Sequence, residues 1–424
     1  MLVTLVFQLC GLQAYAGPRS PFGSSLALLW CAGSCIAYGG VLAFCLAERK
    51  WLFADARTGI GINFIPFIKS SVTIVAHLAV LLEALLARGV YRGLDGRLAA
   101  VDGTLRGLVG VENVRAGRAR FRNKLLLFGA FCGAIELGIL AMVYGSRVQR
   151  AVWWLTVPSL VVIRMKHLHH AYHIDRLAAR FGVLREQLEA LVGSPSSPGH
   201  RQTSTGEKNA PVVERWTFRP TDALKGPSKS LDYGETQRTD HLRRVLVVKG
   251  TYLTLWHAAK DLNGCCVYSQ LANLLQNFIQ CTCDLYSLYS LLYLNQFDDI
   301  FGYILSVVAT FTALGIVLAA CENCKSQVGQ MGQLLHKRRG DEVDLLAKMT
   351  ENFSLLLQHT PMYFSLGGFF DMDFMLLKEM AAAITTYMVI FIQFMPKEDP
   401  AAAVGPSNGG NFTLTNSTLS PKLE

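Results

Sequence analysis

Four stretches of this chain, 24–46, 125–144, 262–283 and 301–321, hold one charged residue between them, Glu136. A helix needs about 20 predominantly apolar residues to cross the roughly 30 Å hydrocarbon core of a bilayer, and each stretch supplies that length. Water-soluble domains place charge throughout, at about 25% of residues. This chain has 17%. A hydrophobic fraction of 51% excludes disorder as the main state. Eleven cysteines, an odd number set mostly within apolar runs, argue against a disulfide scaffold.

Three further segments complete a seven-span reading. Residues 60–87 carry Lys69 and Glu83 near their ends, and 151–172 carry Arg164 and Lys166 late. Residues 380–395 are uncharged but short, so that helix is expected to begin near Asp373. Lys and Arg set the orientation, because cytosolic loops retain them. With the N-terminus inside, 32 of the 40 basic residues fall on the cytosolic side and 7 outside, with Lys69 within a span. The segment 88–124 alone holds nine of them. Two N-x-[ST] sequons, at Asn411 and Asn416, then lie outside, where glycosylation requires them. The expected fold class is an all-α membrane protein: seven transmembrane helices, a cytosolic N-terminus and an extracellular C-terminus.

The expected organisation follows. Residues 1–23 form a cytosolic N-terminal segment. Its Ala14-Tyr15-Ala16 also fits a signal-peptide cleavage pattern, with a short interfacial helix as the alternative. Residues 24–193 hold helices one to four with a cytosolic extension, along which Leu177, Phe181, Leu184, Leu188 and Leu191 recur at helical spacing. Residues 194–240, rich in Ser, Pro, Gly and Thr, read as a disordered cytosolic loop. Helices five and six occupy 241–321. A cytosolic helical anchor region spans 322–372, with a second stripe at Val343, Leu346, Met349, Phe353 and Leu356. Span seven covers 373–396, and 397–424 is an extracellular tail. The two apolar stripes lie outside the membrane and need partners, in the same subunit or another.

Several groups could carry chemistry. His167, His169, His170 and His173 cluster on one helix; His169 and His173 have a metal-chelating spacing. The solitary placement of the other histidines and the lack of a nearby acid favour a polar face snorkelling out of the membrane, and no metal or other cofactor is expected. Asn273, Gln276, Asn277, Gln280 and Asp284 share one face of the fifth span, followed by Tyr286, Tyr289 and Tyr293. They line a ligand pocket or serve interhelical hydrogen bonding. Glu136 is a mid-span carboxylate, costly without a role or partner. Trp153 and Trp154 read as an interfacial belt or as pocket lining. The basic loops account for the net charge of +9, so no nucleic-acid partner is implied.

The last span reads Thr386-Tyr387-Met388-Val389-Ile390-Phe391-Ile392-Gln393-Phe394, and upstream stands Gly367-Gly368-Phe369-Phe370-Asp371. This resembles the C-terminal signature of insect gustatory receptors: Thr-Tyr, five apolar residues and Gln-Phe, after a Gly-Phe-Phe-type turn. The resemblance is tight over roughly 30 residues. It implies a tetrameric, ligand-gated, non-selective cation channel of the sensory-neuron plasma membrane, a homomer or heteromer, with no enzymatic activity. Monovalent cations, with calcium a further candidate, would pass a pore lined by the last helix. A sugar or bitter tastant would bind an outward-facing pocket, for which Glu136, Trp153, Trp154, Asn277, Gln280, Asp284, Tyr286 and Tyr289 are the candidates. Thr386, Ile390 and Gln393 share a face and would form the pore and gate, where an apolar Ile390 ring can close by dewetting. Tyr387 and Phe394 would pack behind that face, and Asp371 or Asp373 would cap the helix. The alternatives are a G-protein-coupled receptor, which needs the opposite orientation, and a secondary transporter, which would show internal repeats.

Overall fold

The structure, a computed structural model, describes residues 2–16, 23–52, 64–106, 112–143, 147–193, 232–293, 300–337 and 345–393. The sequons, Phe394, the tail, Val343 and most of the expected loop 194–240 lie outside the described residues. Eleven helices follow in order: α1 Leu2–Leu9, α2 Ser24–Ala47, α3 Arg49–Leu52, α4 Phe64–Leu86, α5 Arg88–Arg106, α6 Glu112–Val143, α7 Arg147–Gly193, α8 Asp232–Tyr293, α9 Ile300–Lys337, α10 Leu345–His359 and α11 Phe374–Gln393. Among the described residues no strand forms beyond one isolated bridge, Ser365 to Asp371.

By length and composition, five helices can cross a membrane: α2, α4, α6, α9 and α11. α7 and α8 cover the other two expected spans and are longer still. At 1.5 Å per residue, their 47 and 62 residues reach about 70 and 93 Å. Amides dilute the apolar character of α8, and Arg164 and Lys166 that of α7. Those groups are buried among neighbouring helices. The two charges thus meet protein, the environment in which intramembrane charge is tolerated.

Beyond the expected spans, the apolar stripes find their partners within the subunit. Phe181 of α7 and Phe353 of α10 both pack on Tyr252 of α8, with ring centroids 5.8 and 5.9 Å apart. The Tyr252 hydroxyl donates to the Thr360 carbonyl at 2.7 Å. The basic segment after α4 is also helical. In α5, Tyr91, Leu94, Leu98, Val101 and Leu105 recur at spacings of three and four and are buried against α8. Ion pairs stitch α5 to α7: Arg176 to Asp95 at 2.5 Å, and Arg180 to both oxygens of Asp102 at 2.9 and 2.7 Å.

Three sequence expectations change. Residues 2–16 are not a helix separate from the rest but pack into the bundle: Phe7, Leu12 and Tyr15 are buried, and the Tyr15 hydroxyl donates to Asp95 at 3.0 Å. Burial and the Asp95 charge both push the Tyr15 pKa upward. Gly11 turns the chain at φ 71°, with Leu81 Cδ2 only 2.7 Å from where a Cβ would sit. The four histidines do not snorkel. All are buried, His169 and His173 lie 3.2 Å apart, and their rings pack against Tyr91, with Phe7 also on His169. Finally, α8 starts at Asp232, inside the expected loop, where Asp240 and Arg244 pair at 3.0 Å one turn apart.

At the junction of α4, α5, α7 and α8, Lys166 Nζ meets Glu83 Oε1 at 2.5 Å, both side chains almost completely enclosed. Tyr91 donates to the same Glu83 oxygen at 2.7 Å, and Ser269 donates to the other. Removing one member of a buried pair leaves the other unpaired, at about 3–5 kcal/mol. Lys166→Met and Glu83→Gln are each expected to lower the melting temperature of the micelle-solubilised protein sharply. The double variant recovers most of that loss; strictly additive losses would show the pair to be uncoupled.

Candidate functional site

The last helix is set by the turn before it. Residues 364–372 fold back on themselves through Leu366 N–H to the Phe370 carbonyl, 2.8 Å, and Met372 N–H to the Phe364 carbonyl, 2.8 Å. Gly367 and Gly368 have φ of 64° and 82°, a succession that a Cβ would strain. The Ser365 Oγ accepts from Gly368 N–H at 2.9 Å, and Asn263 of α8 accepts from Ser365 N–H at 3.1 Å. Of the two expected caps, Asp373 takes the role, its Oδ1 accepting from Met375 N–H at 2.9 Å.

α11 buries Leu376, Met380 and Ile384 against the subunit. At 100° per residue, Thr386, Ile390 and Gln393 lie about 200° round the helix from Ile384. All three are exposed, Ile390 at 39%. Thr386 satisfies its own hydroxyl on the Ala382 carbonyl at 3.0 Å, which leaves an open stripe of methyl, alkyl and amide groups. Tyr387 and Phe391 lean the other way. Tyr387 packs edge-on to Phe278 and Phe391 to Tyr286, with centroids 5.6 and 5.8 Å apart. These rings join α11 to α8.

The polar face of α8 is enclosed by α4, α7 and α9. Asp284 is fully buried, pairs with Lys69 of α4, and accepts from Gln280 at 2.9 Å and Ser306 of α9 at 2.8 Å. The Lys69 ammonium sits 5.8 Å from the Tyr303 ring centre, and its side chain remains 28% exposed. The lysine end of the pair is thus only partly covered by the protein. Deeper, Gln276 donates to Thr73 at 3.3 Å, and Asn277 meets His167 at 3.0 Å. Asn273 is fully buried with neither amide atom hydrogen-bonded, an unmet demand that water or a ligand can fill.

The other candidates divide. Glu136 pairs with Arg164 Nη1 at 2.7 Å, both buried, so it closes α6 onto α7 rather than standing free in a pocket. Trp153 and Trp154 are T-shaped at 4.9 Å. Trp154 is 63% exposed, while the Trp153 indole nitrogen is enclosed without a partner. Tyr289 stacks on Tyr293 at the end of α8, away from the Asp284 cluster's hydrogen bonds. The sequence reading overlooked Lys69, Ser306 and Thr73. Lys69 was legible, because it and Asp284 fall at matching depth on neighbouring spans.

This architecture is shared. An insect olfactory receptor, OR5 from Machilis hrabei, superposes with a TM-score of 0.63 over 92% of this chain and 97% of its own, at 10% identity. The same receptor in complex with eugenol gives 0.62, with the same coverage and 9% identity. In sequence, "Putative gustatory receptor 2a" of Drosophila melanogaster is 25% identical over 397 residues, 86% of this chain and 84% of that protein. The family described as "7tm Chemosensory receptor" matches residues 2–398. With almost the whole length matched, from α1 through α11, the chain belongs to the 7tm chemosensory receptor family.

Proposed function

We propose that this receptor is a tastant-gated cation channel of the plasma membrane. It has seven spans, a cytosolic N-terminus and an extracellular C-terminus, and works as a tetramer. The observation that carries the reading is the Thr386–Ile390–Gln393 stripe, exposed on the side of α11 opposite the face buried in its own subunit. On a lipid-facing surface the amide of Gln393, the last residue of α11, would be costly. Facing a fourfold axis it becomes a ring of amides beside a ring of isoleucines, which can shut by dewetting and open to a hydrated cation. α7 and α8 supply the remaining two spans, their polar residues turned to the bundle interior.

The ligand site is the cluster around Asp284 and Lys69. A carboxylate, an ammonium, amides and the Tyr303 ring suit a small hydroxyl-bearing tastant of the sugar type better than an apolar bitter compound. Such a ligand exchanges hydrogen bonds with Asp284, Gln280 and Ser306, all on α8 or α9. A shift of α8 is passed to the pore helix by the Tyr286–Phe391 and Phe278–Tyr387 ring contacts. Ligand opens the pore only by binding the open arrangement more tightly than the closed one.

Three measurements test the reading. Cells expressing the receptor without added G protein should pass cation current when sugars and polyols are applied; silence across sugars and bitter compounds alike removes the channel assignment. Gln393→Ala should change open probability or permeation, and unchanged currents exclude it from the pore. Asp284→Asn should raise the half-maximal ligand concentration about tenfold or more, the equivalent of one charge-assisted hydrogen bond. Orientation is decided separately, by whether Asn411→Gln and Asn416→Gln abolish a glycosidase-sensitive mass shift.

A further inference from the structure

Where α6, α7 and α9 diverge, they leave a cleft of about 420 Å³ that plays no part in the pore or the tastant site. Five cations reach it: Arg120 and Lys124 from α6, and Arg176, Arg180 and Arg185 from α7. The two acids on its lining are Asp175, which pairs with Lys124 at 3.3 Å, and Glu186, which is exposed. Three of the cations are already committed to carboxylates: Lys124 to Asp175, Arg176 to Asp95 and Arg180 to Asp102. Arg120 and Arg185 are not. Among the described residues no carboxylate lies within ion-pair distance of either, and Arg185 meets only the Gln330 amide, with its Nε enclosed and without a partner. The lining therefore holds more positive than negative charge: Asp175 is shared by Lys124 and Arg120, and Arg185 has only the neighbouring exposed Glu186.

The floor is shaped to accept something. Tyr172, Asp175, Ala179, Gly182 and Glu186 fall on one face of α7, and at its centre Ala179 and Gly182 have almost no side chain. The Phe121 and Tyr172 rings, 4.9 Å apart, form an aromatic edge on the side toward the spans. Depth is informative too. Lys124 immediately precedes the expected third span, Asn323 and Gln327 follow the sixth within about 9 Å, and Asp175 follows the fourth within about 5 Å at 1.5 Å per residue. That puts the near end of the cleft at the level of lipid headgroups, with Arg185 about 20 Å past the fourth span, within reach of a phosphorylated headgroup that projects from the surface. Basic pockets between helices at this depth hold phosphorylated headgroups, and the planar guanidinium fork suits phosphate oxygens.

We propose that this cleft binds a phosphomonoester-bearing anion, held by Arg120 and Arg185 with Lys124 at the rim. Its source is an inner-leaflet phosphoinositide or a soluble inositol phosphate. The anion closes α6 against α7 and α9 by supplying the negative charge that the protein itself lacks. Assignment to the inner leaflet rests on the proposed orientation; the charge and shape of the cleft do not.

Purified full-length receptor in phosphatidylcholine nanodiscs tests this without any current measurement, so a silent channel does not decide it. Fluorescent phosphatidylinositol 4,5-bisphosphate should bind saturably and raise the melting temperature, and phosphatidylcholine alone should not. Arg120→Gln with Arg185→Gln should weaken binding at least about tenfold. Ala179→Trp, at an exposed position that fills the floor and removes no charge, should do the same. Both variants are compared at equal folded fraction by gel filtration. Competition by inositol 1,4,5-trisphosphate at the lipid's own affinity assigns the site to the soluble anion, and a requirement for the acyl chains assigns it to the lipid. Binding that survives both variants, or that phosphatidylcholine matches, overturns the proposal.

Discussion

The fold depends on one polar contact, the buried Glu83–Lys166 pair with Tyr91 and Ser269 on the same carboxylate. Four helices meet there and each contributes one group. Such a pair adds little net stability, because stripping water from two charges offsets most of their attraction. Its effect is on register. α7 and α8 are long enough to slide by a turn, about 5.4 Å. A slip of that size would leave an ammonium and a carboxylate facing each other's absence in a medium without water. Apolar packing discriminates weakly between such registers; an unmet charge discriminates strongly. Glu136–Arg164 and Lys69–Asp284 do the same at two other places in the bundle.

Why the sequence showed some of this and not the rest has a physical cause. Helices were legible because α2, α4, α6, α9 and α11 are apolar over a bilayer's width, a signal every residue of the window repeats. The stripe Leu177–Phe181–Leu184–Leu188–Leu191 was legible for the same reason, since helical spacing is local information, and all five residues are buried. α5 carries an equally regular stripe and was passed over because its four arginines, counted for topology, hid its apolar face. The turn before the last helix was visible in Gly367-Gly368, although which aspartate caps α11 depended on backbone geometry.

The misreadings at the candidate site share an origin. Each concerned a polar residue whose partner is remote in sequence. Glu136 looked like a pocket acid because Arg164 is 28 residues away. The histidines looked like a surface because nothing nearby in sequence covers them; Phe7 and Tyr91 do. Asp284 was found, but not Lys69, 215 residues distant. A single sequence tells that an intramembrane charge must be paired. Matching depths along antiparallel spans is the one route to naming the partner, and it works for Lys69 and Asp284.

The same pairing logic bears on how this receptor can change shape. A bundle locked at three buried ion pairs resists sliding, so motion is confined to elements that carry none of the three. α11 is such an element. It packs on the body through apolar residues, Leu376, Met380 and Ile384, and through ring edges at Phe278 and Tyr286. Apolar and aromatic contacts exchange for one another at small cost, whereas a buried ion pair cannot be half broken. Asp284 connects the two regimes: it lies on α8 two positions before Tyr286, whose ring packs edge-on to Phe391. A ligand that redistributes hydrogen bonds at Asp284 therefore acts on the rigid side of an interface whose other side is free to move. α11 can follow without breaking any of these three pairs, and in the proposed channel the exposed Ile390 stripe is what such a movement would reposition.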